Sequence, residues 1–251
     1  VKTNEELKAK YDEMHKQGPS AWFSDGTEER EMILNMGRPW ESRYILEIGC
    51  GEGDLAALMA KQAAYVYACD YSEEAIKKAR KKYPKVLFRV MDFHENPRRY
   101  DRVVMQGVLE HLDDPWGELR WIINNLLSPG GDIITSSPCF LNPRGLIWMT
   151  LHMLGAVMSR TDRRFLHPSQ FRDFCIDQGY HFSMMDCDYS WGNENIMVDD
   201  FSQRIPLALK DGGIPVDNNE LENFLHWVYY DYLKSGSKGN FGATMVYHIK
   251  T

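Results

Sequence analysis

The residues best suited to chemistry gather first at positions 47–54. Glu47 is followed by Gly49, Cys50, Gly51, Glu52, Gly53 and Asp54, so glycine recurs at every second position behind an acidic side chain. Such glycines let backbone approach a ligand closely. The free amides of a helix that starts directly afterwards face the same ligand. The dinucleotide fingerprint is G-x-G-x-x-G, whereas the spacing here is G-x-G-x-G. Asp70 follows about 20 residues past the turn, where an acid can accept both hydroxyls of a ribose. The pattern predicts a nucleotide-binding corner.

A corner of this kind needs a strand before the turn and a helix after it. Residues 44–48 are an apolar run, and Leu55, Ala56, Ala57, Leu58 and Met59 continue as a helical pattern. The alternation persists. Strands are predicted near 44–49, 65–70, 86–91, 101–106 and 131–137, with helices near 54–63, 73–83 and 115–127. It implies a parallel sheet with right-handed crossovers. Ligands bind such sheets outside the carboxyl ends of the strands, and Glu47, Asp70, Asp92 and Gln106 all fall at or near such ends. Ahead of the core, residues 3–16 read as an amphipathic helix, with Glu6 in capping-box spacing from Thr3. A second helix is predicted over 27–36.

Five stretches, in this order, resemble the class I S-adenosylmethionine (SAM) methyltransferases. Residues 47–53 match the family's E/D-x-G-x-G-x-G motif, and Asp70 and Tyr71 end the second strand. Asp92 and Phe93 end the third. Val108, Leu109, Glu110, His111 and Leu112 follow the fourth as V-L-E-H-L, and residues 126–131 look like the "L-k-P-G-G" turn into the fifth. The resemblance implies an α/β fold: a seven-stranded, mostly parallel, doubly wound sheet with strand seven antiparallel and helical cap inserts. It implies SAM as cofactor and S-adenosylhomocysteine (SAH) as product. Glu47, Gly49, Cys50, Gly51 and Gly53 would then shape the methionine end. Asp70 would bind ribose with Tyr71 beside the adenine, Asp92 and Phe93 would recognise adenine, and Gln106, Gly107 and Val108 would line the reaction centre. Residues 164–174 are similar to the family's lead into its last crossover helix, with Pro168 at a first helical position.

The expected organisation is one domain. Residues 1–40 form a helical lid, 41–137 the SAM-binding core and 138–166 an insert. Residues 167–189 return to the core with strand six near 180–189, 190–240 form a second insert with an aromatic helix at 221–233, and 241–251 close the sheet.

A sulfonium is already a strong electrophile, so the protein must mainly hold an acceptor in line with the methyl group. An oxygen acceptor also calls for a base or a stabiliser of its developing charge. His111, just past strand four, is the first candidate, followed by His152 and His167. Small-RNA 2′-O-methyltransferases carry E-x-x-E-H here as a metal site. Gly107 replaces the first ligand, and no metal is expected.

The chain has 251 residues, 43% hydrophobic and 26% charged, with a formal net charge of −7. That balance disfavours broad nucleic-acid binding, and the basic run at 77–82 reads as a solvated helix face. Five cysteines form no CxxC pair, which fits reduced thiols and a cytoplasmic location. Residues 146–158 are free of charge but too short to span a bilayer, so they predict a lid helix or a peripheral membrane contact. No leader is expected at the start.

The apolar and aromatic inserts point to a small, lipophilic or sugar acceptor. Tyr11, Trp22, Trp148, His152, Trp227 and Tyr230 are its candidate pocket, with Phe23 also in the lid. Asn142, Pro143 and Arg144 before an apolar helix and a basic flank are similar in arrangement to ubiquinone-biosynthesis O-methyltransferases. Three other readings stay open: small-molecule N-methylation through cation–π enclosure, RNA or protein methylation along Arg160, Arg163, Arg164 and Arg172, and a non-catalytic SAM-binding partner subunit.

Overall fold

Side-chain alternation along each strand places an apolar core on both faces of one sheet. Its strands are β1 (Tyr44–Ile48), β2 (Tyr65–Asp70), β3 (Leu87–Val90), β4 (Tyr100–Gln106), β5 (Leu127–Pro138), β6 (His181–Cys187) and β7 (Thr244–Lys250). They run in the order β3-β2-β1-β4-β5-β7-β6. The first five pair in parallel, and β7 is antiparallel to both β5 and β6. The computed structural model describes residues 11–12, 15–16, 26–153, 164–187, 194–233 and 242–251.

The helices are α1 (Thr27–Met36), α2 (Asp54–Met59), α3 (Glu73–Lys82), α4 (Pro115–Leu126), α5 (Pro143–Met153), α6 (Pro168–Gln178), α7 (Glu194–Asp211) and α8 (Asn218–Trp227). Val103, Met105, Ile133 and Tyr247 meet Leu119 and Ile122 of α4 and Phe171 of α6 on one face. On the other, Ile45, Val104 and Ile134 meet Ile33 of α1, Leu55 of α2 and Ile76 of α3. Trp148 of α5 packs with Phe201, Ile205 and Ala208 of α7 and with Val228 in a third cluster. Each large apolar side chain buried there contributes roughly 1.5–3 kcal/mol, and α5 and α7 thereby share a core separate from those on the sheet.

Several expected boundaries move. β5 begins at Leu127 rather than 131, because Leu127 still pairs with Tyr100 before the register shifts. α2 stops at Met59 rather than 63. The aromatic helix divides into α8 and a wider π turn over Val228–Leu233. α7, 18 residues long, was not legible. Pro206 inside it hides a helical spacing of Phe201, Ile205 and Ala208. The basic run on α3 is not simply solvated. Arg80 donates to the Phe88 carbonyl at 2.9 Å, and Lys78 and Lys82 reach Glu52 and Asp54 at 3.1 and 2.7 Å.

At the edge away from the strand carboxyl ends, charge is buried. Arg102 grips Asp132 with Nε and Nη2 at 2.5 and 2.7 Å, and His248 Nε2 lies 3.1 Å from the same carboxylate. Burial alone would raise the Asp132 carboxyl, but Arg102 and His248 outweigh it and hold it well below its ordinary range. Arg102 also donates to the Gly37 carbonyl and lies 4.6 Å over the Trp40 ring. The cluster ties the link between α1 and β1 to the sheet. All five cysteines are buried and none forms a disulfide.

Candidate active site

Four strand ends bring the predicted acids and glycines together. After β1, Gly49, Gly51 and Gly53 all take positive φ. A Cβ on Gly49 would lie 2.6 Å from the Val108 side chain, and one on Gly53 would lie 2.5 Å from the Phe88 ring. The turn therefore needs glycine to let the loop after β4 close on it and to seat α2 on the sheet. At the end of β2, Asp70 accepts from the Gly51 amide at 2.9 Å and from the Ser72 amide at 2.8 Å. One carboxylate thus spans the glycine turn and the start of α3. Burial raises it despite these two amides.

Glu47 is 2% exposed. Burial first, then the charges of Asp70 and Asp54, raises its carboxyl well above the ordinary value, against a hydrogen bond from the Ala56 backbone amide and the charge of Arg30. Its Oε2 is buried with no hydrogen-bond partner among the described residues. Cys50 is pushed up by burial and then by the charges of Glu47 and Asp70.

Past β3, Asp92 opens a short turn over Phe93–Glu95 and accepts from the His94 amide at 3.0 Å. Past β4, Gln106 donates to Glu29 of α1 at 2.6 Å, and Gly107 takes φ 63° and donates to the Ser136 carbonyl. Val108 leads into a turn over Leu109–His111. His111 Nε2 lies 3.9 Å from Glu110 Oε1. Tyr11, from the segment ahead of the core, stands edge-on to both Tyr71 and His111, with ring centres 5.8 and 5.7 Å away. Asp12 accepts from the Ser72 hydroxyl, and His15 lies 3.3 Å from Glu52. Tyr11, Asp12 and His15 thus touch the start of α3, the glycine turn and the turn after β4.

The family model described as a methyltransferase domain matches residues 17–180. The chain belongs to that family. A ubiquinone biosynthesis O-methyltransferase of Leptothrix cholodnii is 27% identical to this methyltransferase domain over 150 residues, covering 54% of the chain and 63% of the relative. The matched regions cover 38% and 55% of the next two curated relatives. Among solved structures, the DhpI–SAH complex superposes with a TM-score of 0.58 at 14% identity, covering 96% of this chain and 93% of that one. The cyclase SpnF gives 0.63 at 15% identity, covering 100% and 97%. At such identities the structures establish the fold alone.

The remaining predicted residues of the methyltransferase domain are scattered. His167 starts α6: its amide donates to Gln170 at 3.1 Å, and its Nδ1 lies 2.7 Å from the Ser169 hydroxyl. Trp148 is buried in the cap, 6.1 Å from the Phe201 ring. Trp227 and Tyr230 are 48% and 50% exposed. The His152 side chain and Trp22, Phe23, Arg160 and Arg163 lie outside the described residues. Among the described residues no group of three or more His, Cys, Asp or Glu side chains is placed to hold a metal. Sequence reasoning missed Glu29 and Arg30 on α1, Asp12 and His15 ahead of it, and His94. An acid pair followed by a cation in the first turn of α1 was the available signal for the first two.

Proposed function

We propose that this methyltransferase domain transfers the methyl group of SAM to an oxygen of a small, lipophilic molecule. The observation that carries the reading is the pairing of an orphaned, buried Glu47 with an amide-loaded Asp70 across one glycine turn. The methionine end of SAM carries an ammonium and a carboxylate. The ammonium would supply Glu47 Oε2 with its missing partner and restore charge to a carboxyl that burial has pushed up. Arg30, close enough to act on Glu47 electrostatically, would face the carboxylate. Asp70, oriented by the Gly51 and Ser72 amides, would accept the ribose hydroxyls, with Tyr71 beside the adenine and Asp92 and Phe93 along its edge. Bound SAM supplies the electrophilic methyl group. Gln106, Gly107 and Val108 would border the space in which the acceptor meets it.

His111 would take the acceptor's proton, and Tyr11 would shelter the pair from water. The acceptor assignment draws on the acidic chain, the apolar cap and the name of the Leptothrix relative. On α5, Leu146 and Met153 are 66% and 77% exposed, with Met149 between them on the same face. That stripe suits a lipophilic acceptor or a peripheral membrane contact, and among the described residues no helix is long and apolar enough to cross a membrane. Calorimetric titration with SAH, followed by a screen of phenols, quinone precursors and sugar nucleotides, tests both halves. One SAH site per chain and a methylated oxygen are expected. Absence of SAH binding by folded protein would remove the reading.

A further inference from the structure

We propose that His94 is a positioning residue that fixes Asp92 for recognition of the cofactor's adenine, with Glu118 of α4 as its second anchor. The inference rests on the cofactor reading given above.

Asp92 Oδ1 receives two donors from the same residue, the His94 amide at 3.0 Å and ring Nδ1 at 2.7 Å. Both land on one oxygen, which leaves Oδ2 to receive an exocyclic amine. The other ring nitrogen, Nε2, lies 2.7 Å from Glu118 Oε2. The imidazole also stacks on Phe93 at 4.1 Å and meets Trp121 edge-on at 4.5 Å. The ring is therefore clamped between the turn after β3 and two residues one helical turn apart on α4.

An imidazole with a carboxylate on each nitrogen needs a proton on each. Burial alone would lower His94, but the hydrogen bonds to Asp92 and Glu118 outweigh it and raise it above its ordinary value. Asp92, Glu118 and His94 are all partly exposed, so solvent screening keeps their contribution to stability small. Orientation is what the clamp provides. Among the described residues, the charged groups facing the ring are Asp92 and Glu118; Phe93 and Trp121 are uncharged. When the ring loses a proton, one nitrogen presents a lone pair to a carboxylate and that contact turns repulsive. Asp92 is then held less firmly, so adenine recognition should weaken as pH rises through the raised value.

The test is SAH titration of the whole protein from about pH 6 to 9, with Asp92→Asn, His94→Ala and Glu118→Gln, together with NMR titration of the His94 ring. The amino group of SAH titrates identically in every sample, so the comparison is between proteins. Asp92→Asn should weaken binding throughout. His94→Ala should weaken it about tenfold at low pH and flatten the pH profile. Glu118→Gln, nearly isosteric, should shift both the ring titration and the loss of affinity to lower pH. A His94→Ala protein with wild-type affinity and wild-type pH dependence would overturn the inference and leave the cofactor reading intact. Wild-type protein that fails to bind SAH would instead overturn the cofactor reading, whereas Asp92→Asn that binds normally would overturn only the adenine role of Asp92; either outcome removes this inference.

Discussion

Asp70 is the residue on which cofactor affinity should depend most. Two backbone amides fix its orientation before any ligand arrives, so little ordering remains to oppose binding. Asp70→Ala should weaken SAH binding about 100-fold, the loss of two hydrogen bonds to a charged group; unchanged calorimetric affinity would refute the ribose assignment. His111 belongs to turnover rather than affinity. His111→Phe should cut kcat by about 10²–10⁴ with SAH binding preserved, and an equal loss in both would show that the residue merely shapes the loop. The placement of Glu47, Asp70 and the glycines was legible because each falls at or just past the end of an apolar strand run. Arg30, Glu29 and His94 were not. Glu29 meets Gln106 across 77 residues of chain and His94 meets Glu118 across 24, and no local pattern marks a pairing between distant elements.

Elements divide the same way. The parallel pairing of β1 to β5 was readable from alternation, since each strand sits between turn signals and two of the crossover helices carry side-chain caps. Ser72 caps α3 through the Ala75 amide, and Asp114 caps α4 through that of Gly117. The cap was less readable because α7 carries a proline in its middle and its apolar residues face α5 and α8 rather than the sheet. A helical lid over residues 1–40 was the expectation, and no local pattern marked the contacts of Asp12 and His15. Asp12 binds the Ser72 hydroxyl, and Lys78 donates both to Glu52 and to the His15 carbonyl. Ser72 adjoins the Asp70–Tyr71 edge of the cleft, so the fastening sits beside the proposed ribose pocket. Asp12→Ala should therefore speed SAH dissociation several-fold in stopped-flow measurements. An unchanged rate would show that the segment does not gate exchange.

For the molecule as a whole, stability depends on charge buried at the far edge of the sheet. The Asp132 carboxyl is depressed in the folded protein relative to its ordinary value of 3.8. Its contribution is thus fully present above that value and is lost as pH falls below it. Asp132→Asn leaves Arg102 buried without its counter-charge and should cost about 3–5 kcal/mol. Its melting temperature should also respond less than that of the wild type to pH below about 4; parallel curves for the two proteins would count against this account. The same cluster anchors the link from α1, so its loss should loosen the helix that carries Glu29 and Arg30.

The five interior thiols give the protein a property unrelated to catalysis. Each cysteine is buried, and burial raises Cys50, Cys69, Cys139 and Cys175 away from the reactive thiolate form. An alkylating reagent can therefore reach them only during moments of opening. Cys50 lies in the glycine turn, Cys69 in β2, Cys175 in α6 and Cys187 at the end of β6. The chain thus carries its own clocks at separate places in the fold, and the order in which they are labelled would read out which part of the sheet breathes first.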